Sequence, residues 1–97
     1  MTKKQGKIAE IKKRIIPTLK KYRVSKASIF GSIARGDAIK ASDVDILIQP
    51  PKEMGLEFVG MKLELEKILK KRVDVITYKG IHPYIKKSIL ESEVRIL

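Results

Sequence analysis

The sequence predicts an α/β fold of the α+β kind, a mixed three-stranded sheet in the order 1-2-3 flanked by helices, in a single domain over residues 1–97. Three observations lead there. Short apolar runs at 27–30, 44–48 and 73–77, the last of them β-branched, read as strands. Two longer segments, 4–22 and 56–70, repeat apolar residues every three or four positions. Aspartates open the second and third runs, at Asp43, Asp45 and Asp74, and this constrains topology if the acids are to meet. Gly31 and Ser32 follow strand one whereas Asp43 and Asp45 open strand two, so these ends adjoin only if the two strands are antiparallel. Asp74 lies beside Asp43 and Asp45 if strands two and three are parallel, and the intervening helical segment is the crossover that a parallel pair requires.

The chain opens with a helix from about Lys4 to Tyr22. Ile8, Ile11, Ile15, Leu19 and Tyr22 form one apolar stripe, with lysines on the opposite side. Pro17 removes an N–H and crowds the preceding turn, so a kink near Thr18 or a break into two helices is expected. Strand one is Ala27 to Phe30. Ser32 to Gly36 form one helical turn before a loop through Ala41. Strand two, Val44 to Ile48, ends at Gln49-Pro50-Pro51, because proline cannot continue a central ladder.

The second long helix runs from Leu56 to Lys70, with Phe58, Met61, Leu65, Ile68 and Leu69 on one side and Leu56, Val59 and Leu63 widening it. That arc is broader than one core face needs, which assigns part of it to a partner. Lys70, Lys71 and Arg72 suit the helix C-terminus, and strand three is Val73 to Thr77. Pro83 at a first helical position starts a last helix to about Glu91, packed on the sheet through Tyr84, Ile85 and Ile89. His82 beside it reads as a cap or surface residue before it reads as a ligand. Val94 to Leu97 are either an edge strand or a segment that docks on a partner.

Asp43 and Asp45 project to one side of their strand while Val44, Ile46 and Ile48 face the other. Alone, such a pair is a solvated strand face. Three additions favour a site. Gly31-Ser32 follow a strand, where glycine lets backbone N–H groups approach a phosphate and the Ser hydroxyl joins them. Asp74 is a third acid in a similar position. The donor set is oxygen only, with no Cys and one His in the chain, which suits Mg²⁺ and not zinc. Arg35 either supports phosphate or pairs with Asp37, and Ser42 either caps the turn before strand two or touches phosphate.

These residues resemble the nucleotidyltransferase superfamily of DNA polymerase β and kanamycin nucleotidyltransferase, whose pattern is Gly-Ser, ten residues, then Asp-x-Asp; residues 33 to 42 give that spacing. Asp74 matches the distal acid. Arg35-Gly36-Asp37 and Ser42 fit the version in the minimal nucleotidyltransferases, the MntA-like antitoxins paired with HEPN-domain toxins. The resemblance covers almost the whole chain and implies two Mg²⁺ ions held by Asp43, Asp45 and Asp74, with Gly31 and Ser32 on the phosphates of ATP. It implies an adenylyltransferase antitoxin that transfers AMP to a tyrosine of a HEPN-type RNase toxin, in a hetero-oligomer with it. The alternative is an antitoxin of the same fold that acts by contact alone or through nucleic acid.

Composition bounds these readings. Ninety-seven residues hold one small core, with no room for a separate acceptor domain, so the acceptor comes from outside and a small-molecule acceptor is disfavoured. No cysteine means no disulfide framework and no thiolate chemistry. The start shows no signal core and no stretch approaches a membrane span, so the expected location is cytoplasmic. Net charge is +11, and residues 1–26 alone carry ten Lys or Arg against Glu10. That segment either attracts nucleic acid or an acidic protein, or is the solvated face of a helix. Few aromatics are present for base stacking, which makes nucleic acid the secondary partner.

Overall fold

The 3.6-residue stripe at the start of the chain forms α1 (Lys3–Lys21), whose Ile8, Ile11, Ile15 and Leu19 are all buried. The computed structural model describes residues 3–39 and 42–97, and of Lys3 the backbone only. Pro17 does not split α1, which continues through it as one helix. The N–H that proline lacks would have bonded the carbonyl of Lys13, and both residues lie on the exposed side, where water can take that carbonyl. The helix stops where Arg23 adopts a left-handed φ of 61°. The Arg23 and Val24 N–H groups then donate to Lys20 and Leu19 carbonyls at 2.9 and 3.0 Å, a C-terminal motif that satisfies orphan acceptors and buries Val24.

The remaining elements are β1 (Lys26–Phe30), α2 (Gly31–Arg35), β2 (Val44–Gln49), α3 (Glu57–Leu69), β3 (Val73–Thr77), a 3₁₀ turn (Tyr78–Gly80), α4 (Pro83–Ser92) and β4 (Val94–Arg95). The sheet order is β3-β2-β1-β4, with β1 antiparallel to β2 and to β4 and β2 parallel to β3. The three expected strands and their directions are present. The fourth is the C-terminal segment, which takes the edge-strand alternative by pairing Val94 with Ile29 and Arg95 with Ser28. The loop expected after α2 is present from Asp37 to Ile39; Lys40 and Ala41 lie outside the described residues.

Strand alternation divides the core. Ala27, Ile29, Val44, Ile46, Ile48 and Val73 face α1 and α3, whereas Phe30 and Leu47 face Ile81 and Ile89 on the other side. Of the residues expected to pack α4, Ile89 alone is buried. Tyr84 is 91% exposed and stacks on His82, its ring 5.2 Å away, and Ile85 is also exposed. On α3, Met61 and Leu65 are fully buried, whereas Val59 and Leu63, and Leu56 just ahead of the helix, stay exposed. In the middle of α3, Glu64 accepts from Lys21 Nζ and Tyr22 Oη at 3.0 and 2.9 Å and ties α1 to α3.

This packing predicts that neighbouring leucines of α3 differ sharply. Leu65→Ala should lower unfolding free energy by about 2–5 kcal/mol, because it empties a fully packed site. Leu63→Ala should stay within about 0.5 kcal/mol. Urea denaturation of both proteins checks this, and equal losses would contradict the orientation of α3.

Candidate active site

The register of the sheet builds the site. In β2, Asp45 is paired with Phe30 of β1 on one side and with Asp74 of β3 on the other. Asp43 precedes β2 on the same face, and all three carboxylates lie on the side of the sheet away from α1 and α3. Asp43 and Asp45 are partly buried and Asp74 is exposed. The structure therefore brings the three predicted acids to one edge.

Gly31 follows Phe30 with φ 74°, the left-handed region that residues with a Cβ rarely take. A Cβ there would also overlap the Asp45 carboxylate and stand 3.0 Å from its Cγ. Both backbone angle and space require glycine. The chain enters α2 at Gly31, one residue before the expected start, and leaves it at Gly36, φ 87°. The N–H groups of Gly36 and Asp37 both donate to the Ser32 carbonyl at 3.0 Å, so Ser32 is fixed beside Gly31.

Asp45 is held with its pKa pushed up to about 6. Burial is the main cause; the charges of Asp74 and Asp43 add to it, as does a side-chain hydrogen bond with Asp74, and the positive charge of Arg35 opposes it. Arg35 takes the Asp37 alternative, its Nε lying 3.3 Å from Asp37 Oδ2, and its positive charge also acts on Asp45. Ser42 caps the turn ahead of β2, its hydroxyl accepting from Ile39 N–H at 2.9 Å and its own N–H donating to the Ile39 carbonyl at 2.9 Å. His82 is outside the cluster and caps α4, Nδ1 accepting from the Tyr84 N–H at 3.3 Å.

One supporting residue is not announced by the apolar pattern. Glu66 of α3 accepts from the Val73 N–H at 3.1 Å and anchors the start of β3, one residue before Asp74. Its sequence signal is weak, a glutamate seven residues ahead of an edge strand.

The donor chemistry fits a hard divalent cation. The three side chains offer oxygen only, and burial together with the charges of Asp74 and Asp43 raises the pKa of Asp45. Among the described residues, no group of three or more His, Cys, Asp or Glu forms a ready-made metal cage. Oxygen donors suit Mg²⁺, which one or two carboxylates commonly hold together with substrate phosphates.

Comparison with known proteins places this geometry. The model of the family described as "Nucleotidyltransferase domain" matches residues 9–96. A protein of Methanocaldococcus jannaschii named as a protein adenylyltransferase is 48% identical over 91 residues, covering 93% of this chain and 98% of that one. The protein adenylyltransferase MntA of Thermococcus cleftensis is 32% identical over 77 residues, 78% of each chain. Among solved structures, a minimal nucleotidyltransferase superposes with a TM-score of 0.78 at 26% identity, covering 92% of both chains. A toxin–antitoxin complex with AMP-PNP gives 0.77 at 17% identity, over 89% of this chain and 72% of that one. A Shewanella oneidensis complex of a tri-AMPylated HEPN toxin with its MNT antitoxin gives 0.71 at 14% identity, over 92% and 71%. The last two show a shared fold.

Two outcomes follow from the geometry. The Asp45 carboxyl titrates near 3.8 when unfolded and near 6 when folded, so the stability that its neutral form contributes is complete below about pH 3.8 and is lost as pH rises through about 6. Asp45→Asn keeps the side chain neutral, and in chelator it should melt higher than the parent at pH 8 but not at pH 3.5. A parent that is equally stable across this window would contradict the crowding of the acids. Gly31→Ala should destabilise by about 1 kcal/mol or more from the backbone angle alone, measured by denaturation, with the Asp45 overlap added to it.

Proposed function

We propose, for a chain that belongs to the nucleotidyltransferase domain family and is a nucleotidyltransferase, that it moves AMP from ATP to a tyrosine of a HEPN-type toxin and so acts as that toxin's antitoxin. One observation carries the transfer chemistry: Asp45 and Asp74 stand in register on adjacent strands, and Gly31 is backed directly against Asp45. A protein acceptor is supported by the names of the relatives. A HEPN acceptor is supported by the complexes in which proteins of the same fold occur, and ATP by the AMP-PNP bound in one of them.

In this reading Asp43, Asp45 and Asp74 hold two Mg²⁺ ions. When bound, these ions offset triphosphate charge and lower the pKa of the attacking hydroxyl. Gly31 offers a backbone face with no side chain, so the β- and γ-phosphates can approach it closely, and the Ser32 hydroxyl donates to them. Arg35 adds positive charge beside Asp45. Ser42 holds the turn that sets Asp43. The tyrosine oxygen bonds to the α-phosphorus as the bond from that phosphorus to the bridging oxygen of the β-phosphate breaks. Pyrophosphate leaves with the electron pair, and the phenolic proton passes to water at the open edge. Alignment and charge neutralisation carry the rate, since the protein forms no covalent bond of its own.

Incubation of the protein with the toxin, ATP and Mg²⁺ should raise the toxin's mass by one or more AMP units on tyrosine. Asp43→Asn with Asp45→Asn should abolish the shift while association persists. Ser32→Ala should cost roughly 1–3 kcal/mol in kcat/KM, the loss of one donor. If the double variant silences the toxin as well as the parent does, at catalytic as well as stoichiometric ratios, contact and not transfer is the mechanism.

A further inference from the structure

We infer that the cleft between α1 and the end of α3 is a docking site for an acidic segment of the protein acceptor; the inference rests on the transfer reading for the acceptor's being a protein. The cleft has a volume of about 130 Å³ and is walled by Lys7 and Arg14 of α1 and by Lys71 between α3 and β3. Its floor is apolar, formed by Ile11, Val44 and Leu69. Glu10 is the single acid in the wall, and it is bonded to Arg14 at 3.0 Å.

Position gives the cleft its meaning. Val44 lies between Asp43 and Asp45, so the floor of the cleft and the catalytic carboxylates occupy opposite faces of the same three residues. Lys7 also lines a second hollow of about 120 Å³, with Lys4, Ile33, Gly36 and Ala38. That hollow borders the loop that leaves α2. From Arg14 to Lys4 a cationic track therefore runs for about 15 Å along α1 to the edge where transfer takes place. A protein bound over that edge meets the carboxylates on one side and this track on the other.

The chemistry of the track selects its occupant. Of the ten Lys or Arg in the first 26 residues, Lys4, Lys7 and Arg14 line these two hollows against the single acid Glu10, while residues 27–51 hold more acids than bases. Carboxylates on a flexible segment match it, because short aliphatic stems can lie on Ile11, Val44 and Leu69 while the charged ends meet Lys7 and Arg14. An RNA strand fits less well: no aromatic ring lines either hollow, so bases find no surface to stack on.

The test uses a labelled peptide with one tyrosine followed by an octaglutamate tract, a Gly/Ser-tract control of equal length, and a uridine octanucleotide. Binding is read by fluorescence anisotropy without ATP, and AMP transfer is read separately by mass. The glutamate peptide should bind in preference to the control. Lys7→Glu with Arg14→Glu should weaken it about tenfold or more, whereas Lys52→Glu with Lys79→Glu, of equal net charge at the opposite end of the sheet, should change it less than about twofold. The milder pair Lys7→Gln with Arg14→Gln should fall between, which keeps the test decisive if the charge reversal impairs folding. Equal weakening by the two charge-reversed proteins would reduce the effect to bulk charge and overturn the inference, as would tighter binding of the oligonucleotide with the same dependence on Lys7 and Arg14. Site-specific peptide binding with no AMP transfer to any tyrosine would instead count against the proposed function and leave the docking site standing.

Discussion

Parallel pairing of β2 with β3 sets Asp45 across from Asp74, and the backbone ladder holds together two carboxylates whose charges repel. Much of the structure secures that pairing. Val44 N–H donates to the Arg72 carbonyl at 3.0 Å ahead of the strand, and Glu66 takes the Val73 N–H. Val44, Ile46 and Val73 are fully buried beneath α1 and α3, so a slip of one residue would turn this apolar set to the face that carries the acids. Packing on one face thereby fixes electrostatics on the other.

The cost of this arrangement is local and is offset by the core. Raising the Asp45 pKa toward 6 means that ionisation at neutral pH works against folding, and the bare sheet carries that strain until positive charge arrives. Gly31 shows the same logic in the backbone. Its left-handed angle and the lack of room for a Cβ are tolerable because they bring the chain from β1 directly over Asp45. In both places a locally unfavourable choice sits in the candidate site.

Much of this was legible in the residues. Strands β1 to β3 and their directions follow from apolar runs and from the need to gather Gly31, Asp45 and Asp74, and the family resemblance agrees with the matching domain model. What escaped is instructive. Asp43 and Asp45 look equivalent in Asp-Val-Asp, yet only Asp45 has a carboxylate across from it on β3, because register to one residue is set by packing. Of the kink or break that Pro17 suggested in α1, the break does not occur, because a proline on the exposed side of a helix anchored by a buried stripe leaves it in one piece. β4 pairs through two residues, too few to give a periodic signal. Tyr84 and Ile85 looked like core because they are apolar, and sequence alone does not show that the face they occupy lies beyond the sheet.

The central claim is that burial, with Asp74 and Asp43 set beside it by the register, raises the Asp45 pKa to about 6. Carbon-13 NMR of the aspartate carboxyls, titrated with pH in the metal-free protein, addresses it directly. The account predicts one aspartate titrating near pH 6, absent from Asp45→Asn, and moving down when Mg²⁺ is added with AMP-PNP. An Asp45 carboxyl that titrates near 3.8 and ignores the added ion would contradict it.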